Sequence, residues 1–445
     1  MAQRNSYRVP FIFLTVLFFL WGFITVLVDS LIPRLREVFT LTYFQAGLVQ
    51  FAFFGAYFLL SIPSGYLLSR IGYKKGLLLG LCTMAAGCLL FYPAASERLF
   101  SLFILGYFIL AAGITILQVA ANPYVTVLGP EETASSRLNL SQAFNSLGTA
   151  IAPAIGALFI LGDKVKSTEE IEFLSEAEQQ VYFTAEASAV QVPFLGIAAF
   201  IAIIALVFAF VKLPKFQDSA ASNNFSQVFK SRKLLLGALG IFFYVGAEVA
   251  IGSYIINYFL SLDLADTIRN TEFMRFLAEL ILTSGVTNST DMAVVGVFVT
   301  FYWSGAMVGR FIGSYLTKVV SPAVVLSVFA SCAIGLILIS SFSTGLLAMW
   351  TLLAVGLFNS IMFPTIFSLA LDGLGELKPE ASGILCTMIV GGAIIPPAFG
   401  FLIDSFSFNA ALILVMCCYA YILFYGYYSK RDLARRLAPT SVEQL

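Results

Sequence analysis

Long apolar runs fill almost the whole chain, broken only by short charged connections. A run of about 20 apolar residues is long enough to cross a bilayer as a helix. In lipid every backbone polar group must be satisfied within the segment, and a helix does that alone. The runs are too long and too continuous for the alternating strands of a membrane barrel. The sequence therefore predicts an all-α membrane protein. Apolar residues make up 59% and charged residues 11% of 445 positions. A soluble domain carries roughly 25% charge, so a water-soluble enzyme built on one core is excluded.

Twelve spans are expected, near 9–33, 44–69, 75–95, 99–127, 137–161, 190–212, 233–260, 291–317, 322–343, 345–372, 381–404 and 408–429. Residues 162–189 are polar and acidic and read as a loop with a short surface helix. Residues 213–232 are rich in Ser, Asn, Gln and basic side chains and read as a linker. The connection 261–290 is weakly amphipathic and too polar to span. This gives a six-helix half at 1–212, the linker, a second six-helix half at 233–430 and a tail at 431–445.

The halves echo each other. Gly148, Pro153 and Gly156 in "GTAIAPAIG" recur with the same spacing as Gly392, Pro397 and Gly400 in "GAIIPPAFG", and Pro123 has a counterpart in Pro364. Repeated membrane halves point to a transporter with its site between them. The glycines and prolines would supply close packing and bends.

With the N-terminus in the cytoplasm, 18 of the 25 Lys and Arg residues fall on the inner side, so a multi-pass protein of the plasma (inner) membrane with both termini cytoplasmic is expected. The first span lacks a small-residue cleavage site and is expected to stay in the mature protein. Net charge is zero, so there is no nucleic-acid footprint. The six cysteines lie in apolar spans without metal spacing and read as packing residues. Histidine is absent, which removes His relays and Ser–His or Cys–His catalytic pairs. No cofactor or metal is implied, and the chain does not read as an enzyme. A sensor would need a large output region, which the short tails do not supply.

Polar groups inside spans are the functional candidates, because lipid makes them costly. Glu248 lies near the middle of its span, one turn after Tyr244. It is either a hydrogen-bonded packing group or a functional carboxylate. Asp29 ends the first span, where an outer-interface position and a functional one are both open. Gln118 and Asn122 share a helix face, as do Gln142 and Asn145. These amides, with Asn257 and Asn359, are either interhelical ties or a lining for sugar hydroxyls, since amides both donate and accept. Trp21, Tyr254 and Trp303 could stack on a sugar's C–H face.

The connection after the second span reads "GYLLSRIGYKKG". Gly65 and Gly72 allow close packing and a tight turn, and Arg70, Lys74 and Lys75 mark the inner side. This resembles the loop signature of the major facilitator superfamily, which normally has an acidic residue where Ser69 stands. Within it the chain is similar to the fucose permease and glucose/galactose transporter family, through "FFLWGF", "FTLTYFQAGLVQFAFFGAYF", "AANPYVTVLGPEE", "RLNLSQAFNSLG", "YVGAEVAIGSYIINY", "FPTIFSLAL" and "GGAIIPPAFG".

The resemblance implies a major facilitator fold and a proton-coupling and sugar-binding role for Asp29. The fucose branch carries a glutamate where this chain has Gln118 and a glutamine where it has Glu248. Gln118 would then keep a hydrogen-bonding role only, leaving Asp29 and Glu248 as the deep carboxylates for a coupling ion. The expected activity is import of a monosaccharide (glucose, galactose or fucose) by symport with a cation, a proton or sodium, through alternating access. An uncoupled sugar facilitator or exporter and a drug exporter are the rivals. The expected partners are the sugar, the cation and the bilayer, with the chain a monomer.

Overall fold

The computed structural model describes residues 7–29, 43–160, 175–214, 225–282 and 285–437. They form eighteen α-helices and three short 3-10 turns, with no strand among the described residues. The first part of the chain gives α1 Arg8–Asp29, α2 Tyr43–Ile71, α3 Tyr73–Ser96, α4 Phe100–Val127, α5 Ala134–Ile160, α6 Glu176–Phe210 and the single turn α7 Phe225–Val228. Then follow α8 Arg232–Ser261, α9 Leu264–Asn270, α10 Glu272–Glu279, α11 Asp291–Gly296, α12 Val299–Val319 and α13 Pro322–Phe342. The last are α14 Gly345–Asn359, α15 Met362–Leu371, α16 Lys378–Thr387, α17 Gly391–Ser405 and α18 Phe408–Leu437.

Among the described residues, eleven segments are long and apolar enough to cross a membrane. They coincide with eleven of the expected spans, and α5 occupies the place of the remaining one. Two spans are each built from two successive helices: α14 with α15, and α16 with α17, which a short 3-10 turn joins. The sixth helix starts far earlier than the apolar run, at Glu176, because Ser175 and Glu178 form a reciprocal capping box. The connection 261–290 holds the short helices α9 and α10. Arg269 ties it to Asp291 at 2.6 Å and to Asp266 at 3.2 Å, which holds its guanidinium above its ordinary pKa.

The chain forms two compact units. The first comprises Met1–Glu131, Phe144–Lys230 and Gly373–Thr387. In it α3 and α4 approach through small residues: a Cβ at Gly80 would sit 2.8 Å from the Leu117 nitrogen, and one at Gly87 would sit 2.9 Å from the Gly106 carbonyl. Phe91 stacks on Phe194, centroids 4.1 Å apart, which fixes α3 to α6. Gly72 takes φ 79° in the tight turn between α2 and α3. Lys74 then reaches the Ala209 and Val211 carbonyls, both at 2.8 Å, and caps the end of α6. Arg70 lies over the Tyr66 ring and Lys75 is exposed.

The second unit comprises Glu132–Ala143, Ser231–Asp372 and Met388–Leu445. The start of α5 is bound into it by Ser136, which exchanges hydrogen bonds with Ser314 of α12, and by Asn139, which donates to Thr365 at 3.1 Å. Lys233, buried at the start of α8, pairs with Asp372 at 2.6 Å and lies 3.8 Å from Asp432.

Candidate functional site

Two prolines shape the polar sites, one in each unit. A proline inside a helix has no N–H for the carbonyl four residues back, so that carbonyl is left to find another donor. Pro364 of α15 frees the Ser360 carbonyl, and Arg310 Nε of α12 donates to it at 3.1 Å. The regular helical bond resumes one residue later, from Thr365 N–H to the Ile361 carbonyl at 3.0 Å. Pro123 of α4 frees the Val119 carbonyl, and the Ser382 hydroxyl of α16 donates to it at 2.8 Å. The repeated prolines each open an acceptor that a neighbouring helix fills.

Around the first of these sites the second unit builds a polar cluster. The Tyr244 hydroxyl donates to Glu248 Oε1 at 2.7 Å, one turn along α8. Arg310 NH2 stands 3.7 Å from the same oxygen, with side chains 15% (Glu248) and 16% (Arg310) exposed. Asn359, buried at the end of α14, donates to the hydroxyls of Tyr302 at 2.6 Å and Tyr419 at 3.3 Å. Its Oδ1 has no partner among the described residues. The cluster therefore holds one cation, one anion, three phenols and an amide inside membrane-spanning helices. Glu248 and Arg310 balance each other's charge, which makes their burial tolerable.

In the first unit the Tyr57 hydroxyl donates to Gln118 Oε1 at 2.6 Å. Asn122 is fully buried one turn later on α4. Asn145 of α5 donates to the Phe18 carbonyl at 2.9 Å and sits against Gly22, so this amide ties α5 to α1. Trp21 is buried with its ring 5.5 Å from Phe18. Asp29 closes α1, and its side chain lies outside the described residues.

The other sequence candidates are spread more widely. Gln142 is buried in the α5 segment that belongs to the second unit. Tyr254 packs on Phe399 at 5.3 Å and lines a small apolar cavity with Tyr258, Leu352 and Leu412. Asn257 is exposed. Trp303 is 48% exposed, with its ring edge-on to Tyr302. Gly148 lies directly against the Phe19 carbonyl of α1, and Gly391, next to Gly392, lies against the Phe242 carbonyl of α8. Pro153 and Pro397 are exposed, and Gly400 lies against the Tyr254 hydroxyl. Gly65 packs on Pro379 and Gly383 of α16. Gly156 lies in α5, beyond the positions whose surroundings are described.

Sequence reasoning missed Arg310, Tyr57, Tyr302 and Tyr419. For Arg310 the usable signal is its place inside the apolar run 291–317, where a charge needs a partner.

The model of the Major Facilitator Superfamily matches residues 12–389. The chain belongs to this superfamily. Along 428 residues it is 46% identical to a glucose/galactose transporter of Brucella abortus biovar 1 (strain 9-941), over 96% of this chain and 95% of that one. It is 35% identical to the L-fucose-proton symporter of Escherichia coli (strain K12), over 96% and 94% of the two chains. The crystal structure of the superfamily transporter FucP in its outward conformation superposes with a TM-score of 0.84 at 34% identity. That match covers 95% of this chain and 99% of the other. The eleven candidate spans and α5 are thus the helices of a multi-pass facilitator-type transporter.

Proposed function

We propose that this transporter imports a hexose of the glucose/galactose type together with a proton. Full-length similarity to the Brucella glucose/galactose transporter and to the E. coli L-fucose-proton symporter supports the sugar and the cation. The observation that carries the reading is Glu248, a carboxylate within a membrane-spanning helix, held by Tyr244 and facing Arg310.

Protonation of Glu248 removes the charge that faces Arg310. Arg310 also binds the Ser360 carbonyl in the break between α14 and α15. A change at the carboxylate therefore reaches the helix break through one side chain, and that is how ion binding would bias the transport cycle. Asp29 is the second coupling carboxylate of this proposal. Gln118, Asn122, Gln142, Asn145 and Asn359 supply the hydroxyl-binding donors and acceptors, with Trp21 and Tyr254 as aromatic faces. Trp303 and Asn257 are exposed, so the proposal rests on the other residues. The setting is the plasma (inner) membrane, with both termini cytoplasmic and the chain monomeric.

The test is uptake of a panel of labelled hexoses into vesicles carrying the protein, under an imposed pH gradient and separately under a sodium gradient. Accumulation of glucose or galactose driven by the pH gradient supports the reading. Equilibration without accumulation under either gradient would make the protein an uncoupled facilitator.

A further inference from the structure

Glu380 is a buried acid that the coupling scheme does not use. It lies in the first turn of α16, and its side chain is 3% exposed. The burial comes from close helix packing. A Cβ at Gly65 of α2 would lie 2.8 Å from the Pro379 carbonyl and 3.1 Å from Gly383 Cα. A Cβ at Gly383 would lie 2.6 Å from the Ser61 carbonyl. Ser382 is bonded to α4 as described. With glycines at the crossing, the backbones meet with no side chain between them, and Glu380 is sealed at its edge.

The groups that face Glu380 are few. From α2 comes the Ser69 hydroxyl, and from α16 itself the Glu380 backbone N–H. From α3 comes Tyr73, whose ring stacks on Tyr124 of α4 at 5.0 Å. The nearby cations are engaged elsewhere. Arg70 lies over Tyr66, Lys74 caps α6, and Lys378 pairs with Glu131 at 3.1 Å. No ion pair to Glu380 occurs among the described residues, and its Oε2 is buried without a partner.

Hydrogen bookkeeping then decides the form of the acid. Ser69 donates its one hydroxyl proton to the Tyr66 carbonyl at 2.8 Å. A buried carboxylate would need donors on both oxygens, and Oε2 has none.

We propose that Glu380 is a proton-linked positioning residue: packed against α2 it is the neutral acid, and when α16 separates from α2 it ionises into water. The proton leaves to solvent on separation and is retaken on repacking. Low pH therefore favours the packed arrangement and high pH the separated one. The inference does not depend on which sugar is carried or on the role of Glu248.

Cys386, buried on the same helix segment, is a built-in reporter. In proteoliposomes without sugar, Cys386 would be the sole thiol, with Cys82, Cys88, Cys332, Cys417 and Cys418 replaced by Ala. Its alkylation by N-ethylmaleimide is followed across mildly acid to mildly alkaline pH, alone and with Glu380→Gln. Dividing one rate by the other removes the thiol's own pH dependence. The ratio is expected to be near one at acid pH and to rise at least about fivefold at alkaline pH. A ratio independent of pH overturns the proposal. Should Glu380→Gln fail to fold, Glu380→Asp replaces it in an infrared difference spectrum against the parent. A carboxylic-acid carbonyl band that the substitution shifts supports the proposal, and a carboxylate band alone contradicts it.

Discussion

Arg310 Nε donates to the Ser360 carbonyl at 3.1 Å, taking the acceptor that Pro364 leaves without a helical donor. The same guanidinium faces Glu248 at 3.7 Å. One side chain thus joins a charge inside the membrane to a break in a spanning helix.

Restoring the missing N–H should disconnect the two. In Pro364→Ala the new donor competes with Arg310 for the Ser360 carbonyl, and an interior proline costs a helix about 3 kcal/mol. The expected result is a Tm unchanged or raised by a few degrees with sugar uptake at least about tenfold slower. Thermal unfolding and initial uptake rates measured on the same preparation check this.

Removing one charge of the pair should hurt more than removing both. Arg310→Gln leaves Glu248 buried without its counter-charge, a loss of about 3 kcal/mol. Arg310→Gln combined with Glu248→Gln should regain most of that stability. Thermal shift assays on the single and double variants measure it, and additive losses would show that the two residues do not interact.

The spans were legible because lipid enforces uniform apolarity, and eleven of them reappear at the expected places. The start of α6 was legible in principle from Ser175 and Glu178, but an acidic stretch before an apolar run looks like a loop. Arg310 was not legible as a site residue because hydropathy gives a charge no depth: the residue counts alike whether it meets headgroups or Glu248. Glu380 was missed for a related reason. It precedes the apolar run, and only the close approach of Gly65 and Gly383, which are far apart in sequence, buries it. The pairing of Gln118 with Tyr57 and of Asn359 with Tyr302 was equally hidden, since spacing along one helix says nothing of its neighbours.

Asn359→Ala should strip two tyrosine hydroxyls of a buried donor. Leaving such groups without a partner costs about 1–3 kcal/mol. A Tm lowered by several degrees with weaker sugar binding is expected, read by thermal unfolding with and without hexose. An unchanged Tm would mean that Tyr302 and Tyr419 find other partners.

Gly148→Val and Gly335→Ala should behave oppositely. A side chain at Gly148 meets the Phe19 carbonyl and lies 2.9 Å from the Phe23 nitrogen of α1, with no flexible atom to yield. Such overpacking costs about 1–3 kcal/mol, and the yield of folded protein should fall. Gly335 of α13 has nothing within 4 Å of an added Cβ. There alanine should stabilise the helix by up to about 1 kcal/mol. Size-exclusion profiles in detergent with melting curves compare the two.

The central claim is that the Glu248 carboxylate harnesses a proton gradient. The most direct measurement is uptake of labelled glucose or galactose into vesicles under an imposed pH gradient, for the native protein and for Glu248→Gln. The native protein should accumulate sugar above the outside concentration, whereas Glu248→Gln should exchange labelled for unlabelled sugar but only equilibrate it. Accumulation by Glu248→Gln to the native level would contradict the account.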